Sequence, residues 1–411
     1  MARANRSPSM SAYAGPAMPD SRLASMFAPR STKPPVSATS IGMVGAYTSD
    51  RDGLTTFAAT LRRALLVDRP NTTIAVVAAG TAMGASPPEV VHELGPTMDG
   101  SREAAAILNR NDAVIVHYQG GVYGGTEGDQ ILDVLQWITV PVVVIVHDLH
   151  RQPTARQRFI IEILTSSADA VVTMSETGRR ILLDEFRVEP RKLMKIQHGA
   201  QLATTASPEQ DARPRRRPRV LTWGLLGPDC GIERGLRAVA QARGLSPALH
   251  YHVAGPLDPA LDSSQASSYR AGLLKLADEL GIADSVAWEV GPLDAERLGE
   301  LARNADIVLL PQQPGDRTAS AILADAIAAA RPVVAADFPY AIEILTENGG
   351  GIVAAEPDEM AEALTRVVTD QRLSTRMADR NAALAPALDW TVAAGQYRQL
   401  INVLVRRPAR S

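Results

Sequence analysis

The stretch Leu221–Leu236, LTWGLLGPDCGIERGL, reads as the end of an apolar strand, a Gly/Pro turn, and a helix that opens at Gly231. Such a turn aims backbone N–H groups and the positive end of a helix at one point, which suits an anion such as a diphosphate. The spacing is not Gly-x-Gly-x-x-Gly, so the pattern alone is equally that of a tight strand-to-helix turn with no ligand. The segments on either side decide the fold class. Downstream, HYHVAG, YRAGLLKLADELG, SVAWEV, AERLGELARNA, DIVLLP, ILADAIAAA, PVVAAD, GIVAA and DEMAEALTRVV alternate strand-like runs with helical stretches. Upstream, a first series begins near Ile41 with IGMVGAY and TTFAATLRRALL. It continues through TIAVVAA, SREAAAILNR, DAVIVHY, PVVVIVH, ADAVVTM, SETGRRILLDEF and LMKIQH. Continuous apolar runs, unlike alternating ones, mark strands covered by helices on both faces.

The rhythm stops between about Gln201 and Pro218, where TTASPEQDARPRRRPR has the Pro, Ser and charge content of a linker. The expected architecture is therefore α/β, with two doubly wound Rossmann-like domains facing across a cleft and a ligand at their carboxyl edges. The boundaries read as a disordered tail over 1–38, an N-terminal domain over 39–205, a linker over 206–218 and a C-terminal domain over 219–375. Residues 376–411 read as C-terminal helices crossing back to the N-terminal domain, with Trp390 and Tyr397, seven apart, on one helical face.

Composition narrows the function classes. The 411 residues, 45% hydrophobic, suffice for two ordinary cores. Lys and Arg total 42 against 45 Asp and Glu, so no chain-wide field argues for nucleic acid as a partner. The one cysteine, Cys230, excludes an internal disulfide framework and fits the cytoplasm. The greasiest runs, AVIVHY and PVVVIVH, are far shorter than the roughly 20 apolar residues of a membrane span. No His, Cys and carboxylate set has metal-ligand spacing, and no Gly-x-Ser-x-Gly turn points to a hydrolase.

Five segments carry a resemblance: the turn at Leu221–Leu236, HDLHRQPTARQR, MSETGRRIL, VEPRKLMKIQHGA and ILADAIAAARPVVAADFPYAIEIL. In order and spacing the chain resembles the family 4 retaining glycosyltransferases of GT-B architecture, from about Ile41 to the C-terminal helix. The string GLTTF, Gly53 to Phe57, is similar to the GLATF-like turn of an actinobacterial-type subgroup. The resemblance implies transfer of a sugar from a nucleotide-sugar donor to an acceptor hydroxyl with retention. The donor is a co-substrate, and no separate cofactor or metal is implied.

The resemblance assigns His147, at the end of PVVVIVH, to the reaction centre near the donor sugar. A histidine there can exchange a proton near neutrality or serve only as a satisfied structural residue. On the donor side stand Gly227, Cys230 and Gly231 of the turn, together with Arg317, Asp325 and Glu343; on the acceptor side stand Gly53, His117 and His198. Ser175 reads first as a helix N-cap.

Several of these positions depart from the family pattern. Where typical members carry an Arg and a Lys on the donor diphosphate, this chain has Leu225 and Cys230. Two glutamates separated by seven residues become Arg317 and Asp325. Losing two charge-assisted contacts, at about 1.5–3 kcal/mol each, weakens donor binding by orders of magnitude unless another group such as Arg317 compensates. The rival expectation is a non-catalytic GT-B-like partner or sensor, and a third is a nucleotide-sugar epimerase. Expected acceptors are a sugar, a polyol or a lipid-linked group. RPRRRPR, Arg151, Arg156 and Arg158 add weak contact with the inner face of the membrane as an expectation.

Overall fold

The structure, a computed structural model, describes residues 38–47, 53–67, 69, 71–80, 87–150, 152–201, 217–245, 248–313, 315 and 318–406. Almost all of the segment read as a tail, linker residues 206–216, Arg151 and Arg317 lie outside the described residues.

The N-terminal half runs β1 (Ser40–Ala46), α1 (Gly53–Leu66), β2 (Thr73–Ala79), β3 (Val90–Glu93), α2 (Met98–Leu108), β4 (Ala113–Tyr118), α3 (Gln130–Leu135), β5 (Val142–Val146), α4 (Ala155–Ser167), β6 (Ala170–Thr173), α5 (Glu176–Asp184) and β7 (Leu193–Lys195). The C-terminal half runs β8 (Arg219–Trp223), α6 (Ile232–Gln241), β9 (His250–Gly255), α7 (Ser263–Glu279), β10 (Val286–Val290), α8 (Ala295–Asn304), β11 (Ile307–Leu310), α9 (Ala321–Ala328), β12 (Val333–Ala335), α10 (Pro339–Asn348), β13 (Gly351–Val353), α11 (Pro357–Thr369), α12 (Gln371–Leu384) and α13 (Trp390–Val405).

The sheet orders are β3-β2-β1-β4-β5-β6-β7 and β10-β9-β8-β11-β12-β13, and every described pairing is parallel. In both sheets the chain winds outward on one side of its first strand and then returns to the other. That places a switch point between β1 and β4 and another between β8 and β11, where an open α/β sheet binds its ligand. The strands at these points, AVIVHY and IVLL, are buried along their whole length, as helices on both faces require.

Two elements differ from the sequence reading. Strand β3 (VVHE) alternates half-buried and exposed residues at the sheet edge, so it lacks the apolar run that marks the other strands. The expected boundary at 376 falls inside α12, which packs on α9, α10 and α11 of the C-terminal half. Asn381 ties it there: its buried amide donates to the carbonyls of Arg331 and Gly350 at 2.7 and 2.8 Å. Of the two helices, α13 is the one that packs on the N-terminal half. It lies along α1, with Trp390 and Tyr397 buried and the Arg398 guanidinium on the Ala64 carbonyl at 3.2 Å.

The two chain crossings are joined to each other. Ala200 N–H donates to Leu388 O at 2.7 Å, and Trp390 stacks so closely on Gly199 that any side chain there would overlap the indole.

Candidate functional site

The carboxyl edge of the N-terminal sheet gathers an aromatic cluster. Phe57, from the first turns of α1, makes edge contacts with His147, His198, Trp390 and His117, at centroid distances of 4.7, 4.9, 5.0 and 5.8 Å. His117 Nδ1 and His147 Nε2 are 3.1 Å apart, and their rings stack at 28°. Close packing holds the pair in place. Tyr123 donates its hydroxyl to the carbonyl of His117 at 2.7 Å, and Gly45 on β1 leaves room where a Cβ would press on the His117 side chain.

Burial keeps all three imidazoles neutral. It pushes His117 down to about 3 and His198 to about 4, the latter opposed in part by the bond from its Nδ1 to Gly199 O at 2.7 Å. His147 is held well below its usual range, first by burial and then by repulsion from His117 and His198. The structure thus brings together His117, His147 and His198, while Gly53 stands apart as the exposed first residue of α1. The loop after β5 also carries His150, whose Nε2 lies 3.0 Å from the Asp148 carboxylate, with both side chains exposed.

In the C-terminal half the stretch Gly227–Gly231 lies at the β8/β11 switch point. A short 3-10 turn, Pro228–Cys230, leads into α6, and Gly231 is left-handed at φ 69°. A side chain at 231 would overlap the Pro311 carbonyl, so only glycine lets the loop after β11 lie against the start of α6. Tyr269 fastens the turn from behind, donating to Gly227 O at 2.8 Å.

Cys230 turns inward. It is 8% exposed and packs in the apolar core, so its side chain does not take the place of a donor-binding cation, and its backbone N–H closes the turn on Gly227 O at 2.9 Å. The Asp258 side chain lies against Gly227, bringing an acidic group beside the turn. Arg234, in the first turn of α6, is turned to protein carbonyls: its guanidinium bonds Ala355 O and Gln312 O.

The two carboxylates expected on the donor are both engaged with the N-terminal half. Asp325, buried in α9, accepts from the Gln201 N–H at 2.6 Å. Glu343, on α10, accepts from the N–H groups of Glu176 and Thr177 at 2.7 and 2.9 Å, and Lys195 Nζ is 3.8 Å away. These are the free donors at the N-terminus of α5, whose cap Ser175 takes the N–H of Gly178 at 2.9 Å. Glu343 therefore points across the cleft at a helix end, not at the turn Gly227–Gly231. Among the described residues no group of three or more His, Cys, Asp or Glu could hold a metal ion, and no helix is long and apolar enough to cross a membrane. Arg156 pairs with Asp129, and Arg158 with Glu162 and the Glu185 carbonyl.

The arrangement of the two parallel sheets matches a set of solved structures. Sucrose-phosphate synthase from Thermosynechococcus elongatus matches with a TM-score of 0.67 at 16% identity, covering 88% of this chain and 98% of that one. HepE of Anabaena in complex with UDP matches with a TM-score of 0.68 at 14% identity, covering 87% and 98%. The fold is GT-B. Residues 204–383, which contain the turn and α9, match the family described as Glycosyl transferases group 1. Among curated relatives, a D-inositol 3-phosphate glycosyltransferase of Stackebrandtia nassauensis is 28% identical over 61% of this chain and 58% of its own length. An alpha-D-kanosaminyltransferase of Streptomyces kanamyceticus is 25% identical over 64% and 71%. The chain thus spans less than two thirds of the first of these relatives. On the GT-B frame, the histidine cluster lies at the carboxyl edge of the N-terminal sheet and the glycine turn at that of the C-terminal sheet.

Proposed function

We propose that this chain transfers a sugar from a nucleotide-sugar donor to an acceptor hydroxyl, with retention of the anomeric configuration, as in family 4. The observation that carries the reading is the Gly231 turn: its backbone is pressed against Pro311 at the switch point of the half that matches the glycosyltransferase family. N–H groups at the start of α6 then face the donor diphosphate, and Arg317, just before α9 in sequence, adds a cation. Asp325 takes the ribose when it leaves the Gln201 N–H, and Glu343 reaches the donor when it leaves α5. His147 contributes a neutral imidazole beside the sugar, with the His150–Asp148 pair on the same loop.

The acceptor class is a sugar, polyol or lipid-linked hydroxyl, the polyol being the class named by the inositol phosphate relatives. Gly53 and His198 lie on that side. Closure of the cleft excludes water and favours transfer over hydrolysis. The cytoplasm, with weak contact at the inner membrane face, is the proposed site of action.

A thermal-shift series with UDP, GDP and ADP and their sugars, followed by product NMR, tests the proposal. A ligand at 100 times its Kd stabilises by about 2.7 kcal/mol. Product of the donor's own anomeric form supports retention, and absence of any shift removes the reading. The second reading, a non-catalytic partner, is favoured by Leu225, the inward Cys230 and the Asp258 side chain beside Gly227.

A further inference from the structure

The contact between His117 and His147 decides where their protons are. One N–H serves the 3.1 Å contact between His117 Nδ1 and His147 Nε2. His117 is 1% exposed, and its other nitrogen, Nε2, is buried with no partner among the described residues. A buried ring nitrogen without a partner is tolerated as a lone pair more readily than as an N–H. Placing the His117 proton on Nδ1 avoids an orphaned donor and makes His117 the donor to His147 Nε2. A neutral His147 that accepts at Nε2 carries its own proton on Nδ1. That nitrogen has no protein partner among the described residues, and the ring is half-buried at the carboxyl edge of β5.

We propose that His117 is a positioning residue that fixes His147 in the Nδ1–H tautomer, so that a neutral His147 meets the bound ligand as a hydrogen-bond donor. The partner this selects is an oxygen with a free lone pair: a sugar hydroxyl or a phosphate oxygen. The catalytic consequence rests on the glycosyl-transfer reading; the proton assignment does not. His117 was expected on the acceptor side. Its burial beneath His147 leaves it no path to an acceptor and makes its influence indirect.

The test uses the full chain labelled with 15N-histidine, with the His147 signals assigned by their loss in His147→Asn. Long-range 1H–15N spectra near pH 7.5 should show His147 protonated at Nδ1 and bare at Nε2. In His117→Phe, which keeps a flat ring but no donor, the His147 signals should move toward the other tautomer. In His117→Asn, whose amide offers an N–H near the Nδ1 position, they should return. With a nucleotide-sugar substrate, kcat/KM should fall about tenfold in His117→Phe, as for one lost hydrogen bond, and recover in His117→Asn. A wild-type His147 protonated at Nε2, or spectra unchanged in a folded His117→Phe, overturns the assignment. Should His117→Phe fail to fold, the wild-type and His117→Asn spectra decide. The stated tautomer without turnover of any nucleotide sugar upholds the His117 assignment and removes the glycosyltransferase reading.

Discussion

Glu343 Oε1 accepts the backbone N–H of Glu176 at 2.7 Å, so that a carboxylate of the C-terminal half caps a helix of the N-terminal half. With the second bond to Thr177 at 2.9 Å it satisfies two donors that α5 leaves open, and the positive helix end favours the charge. The Glu343 side chain is 10% exposed, so water screens the contact little. Glu343→Gln should lower unfolding free energy by about 1–3 kcal/mol, the range for charge-assisted bonds that lose their charge. Small-angle scattering should also show a more open pair of halves. Unchanged stability and radius of gyration would mean the cap does not hold the cleft.

Acid should weaken the fold through the histidine cluster. His117 and His198 drop from 6.5 to about 3 and about 4 on folding, because their charged forms cannot be solvated. The unfolded chain therefore binds protons below pH 6.5 that the folded chain refuses. Stability is fully present above pH 6.5 and falls as pH drops toward the folded values. At pH 5 the loss is about 2 kcal/mol for each of these two residues. Urea denaturation at pH 7.5 and 5.0 measures it, and His198→Asn should flatten the slope.

Gly231 is irreplaceable for two reasons that add: its φ of 69° and the Pro311 carbonyl where a Cβ would sit. Gly231→Ala should cost about 2 kcal/mol or more and reduce any thermal shift produced by a nucleotide. Gly53, whose Cβ position is open, is the control, since Gly53→Ala should leave stability within about 1 kcal/mol.

Arg317 stands where the resemblance to family 4 implies a glutamate, a reversal of charge. If its guanidinium meets the diphosphate, Arg317→Ala should weaken nucleotide-sugar affinity about tenfold in calorimetry. Equal affinity in both proteins would take the arginine out of the site.

Much of the fold was legible along the chain. Runs such as AVIVHY and PVVVIVH, each followed by a helical stretch, identify buried parallel strands, and the gap after Gln201 separates two series. β3 and the allegiance of α12 were not legible. One is an edge strand without an apolar run, and the other is held by Asn381, an amide whose partners lie 31, 33 and 50 residues away.

The site divides in the same way. Local sequence determined that a glycine turn opens α6 and that His117 and His147 end neighbouring strands, because backbone preference and strand period act over a few residues. Only the tertiary structure decided what those side chains do. Parallel winding brings the ends of β4 and β5 together, and α13 returns Trp390 to Phe57 and His198. Burial then makes the histidines neutral, turns Cys230 into the core, and carries Glu343 across the cleft to α5. Desolvation and charge pairing depend on distances between residues far apart in the chain, and a linear pattern does not contain those distances.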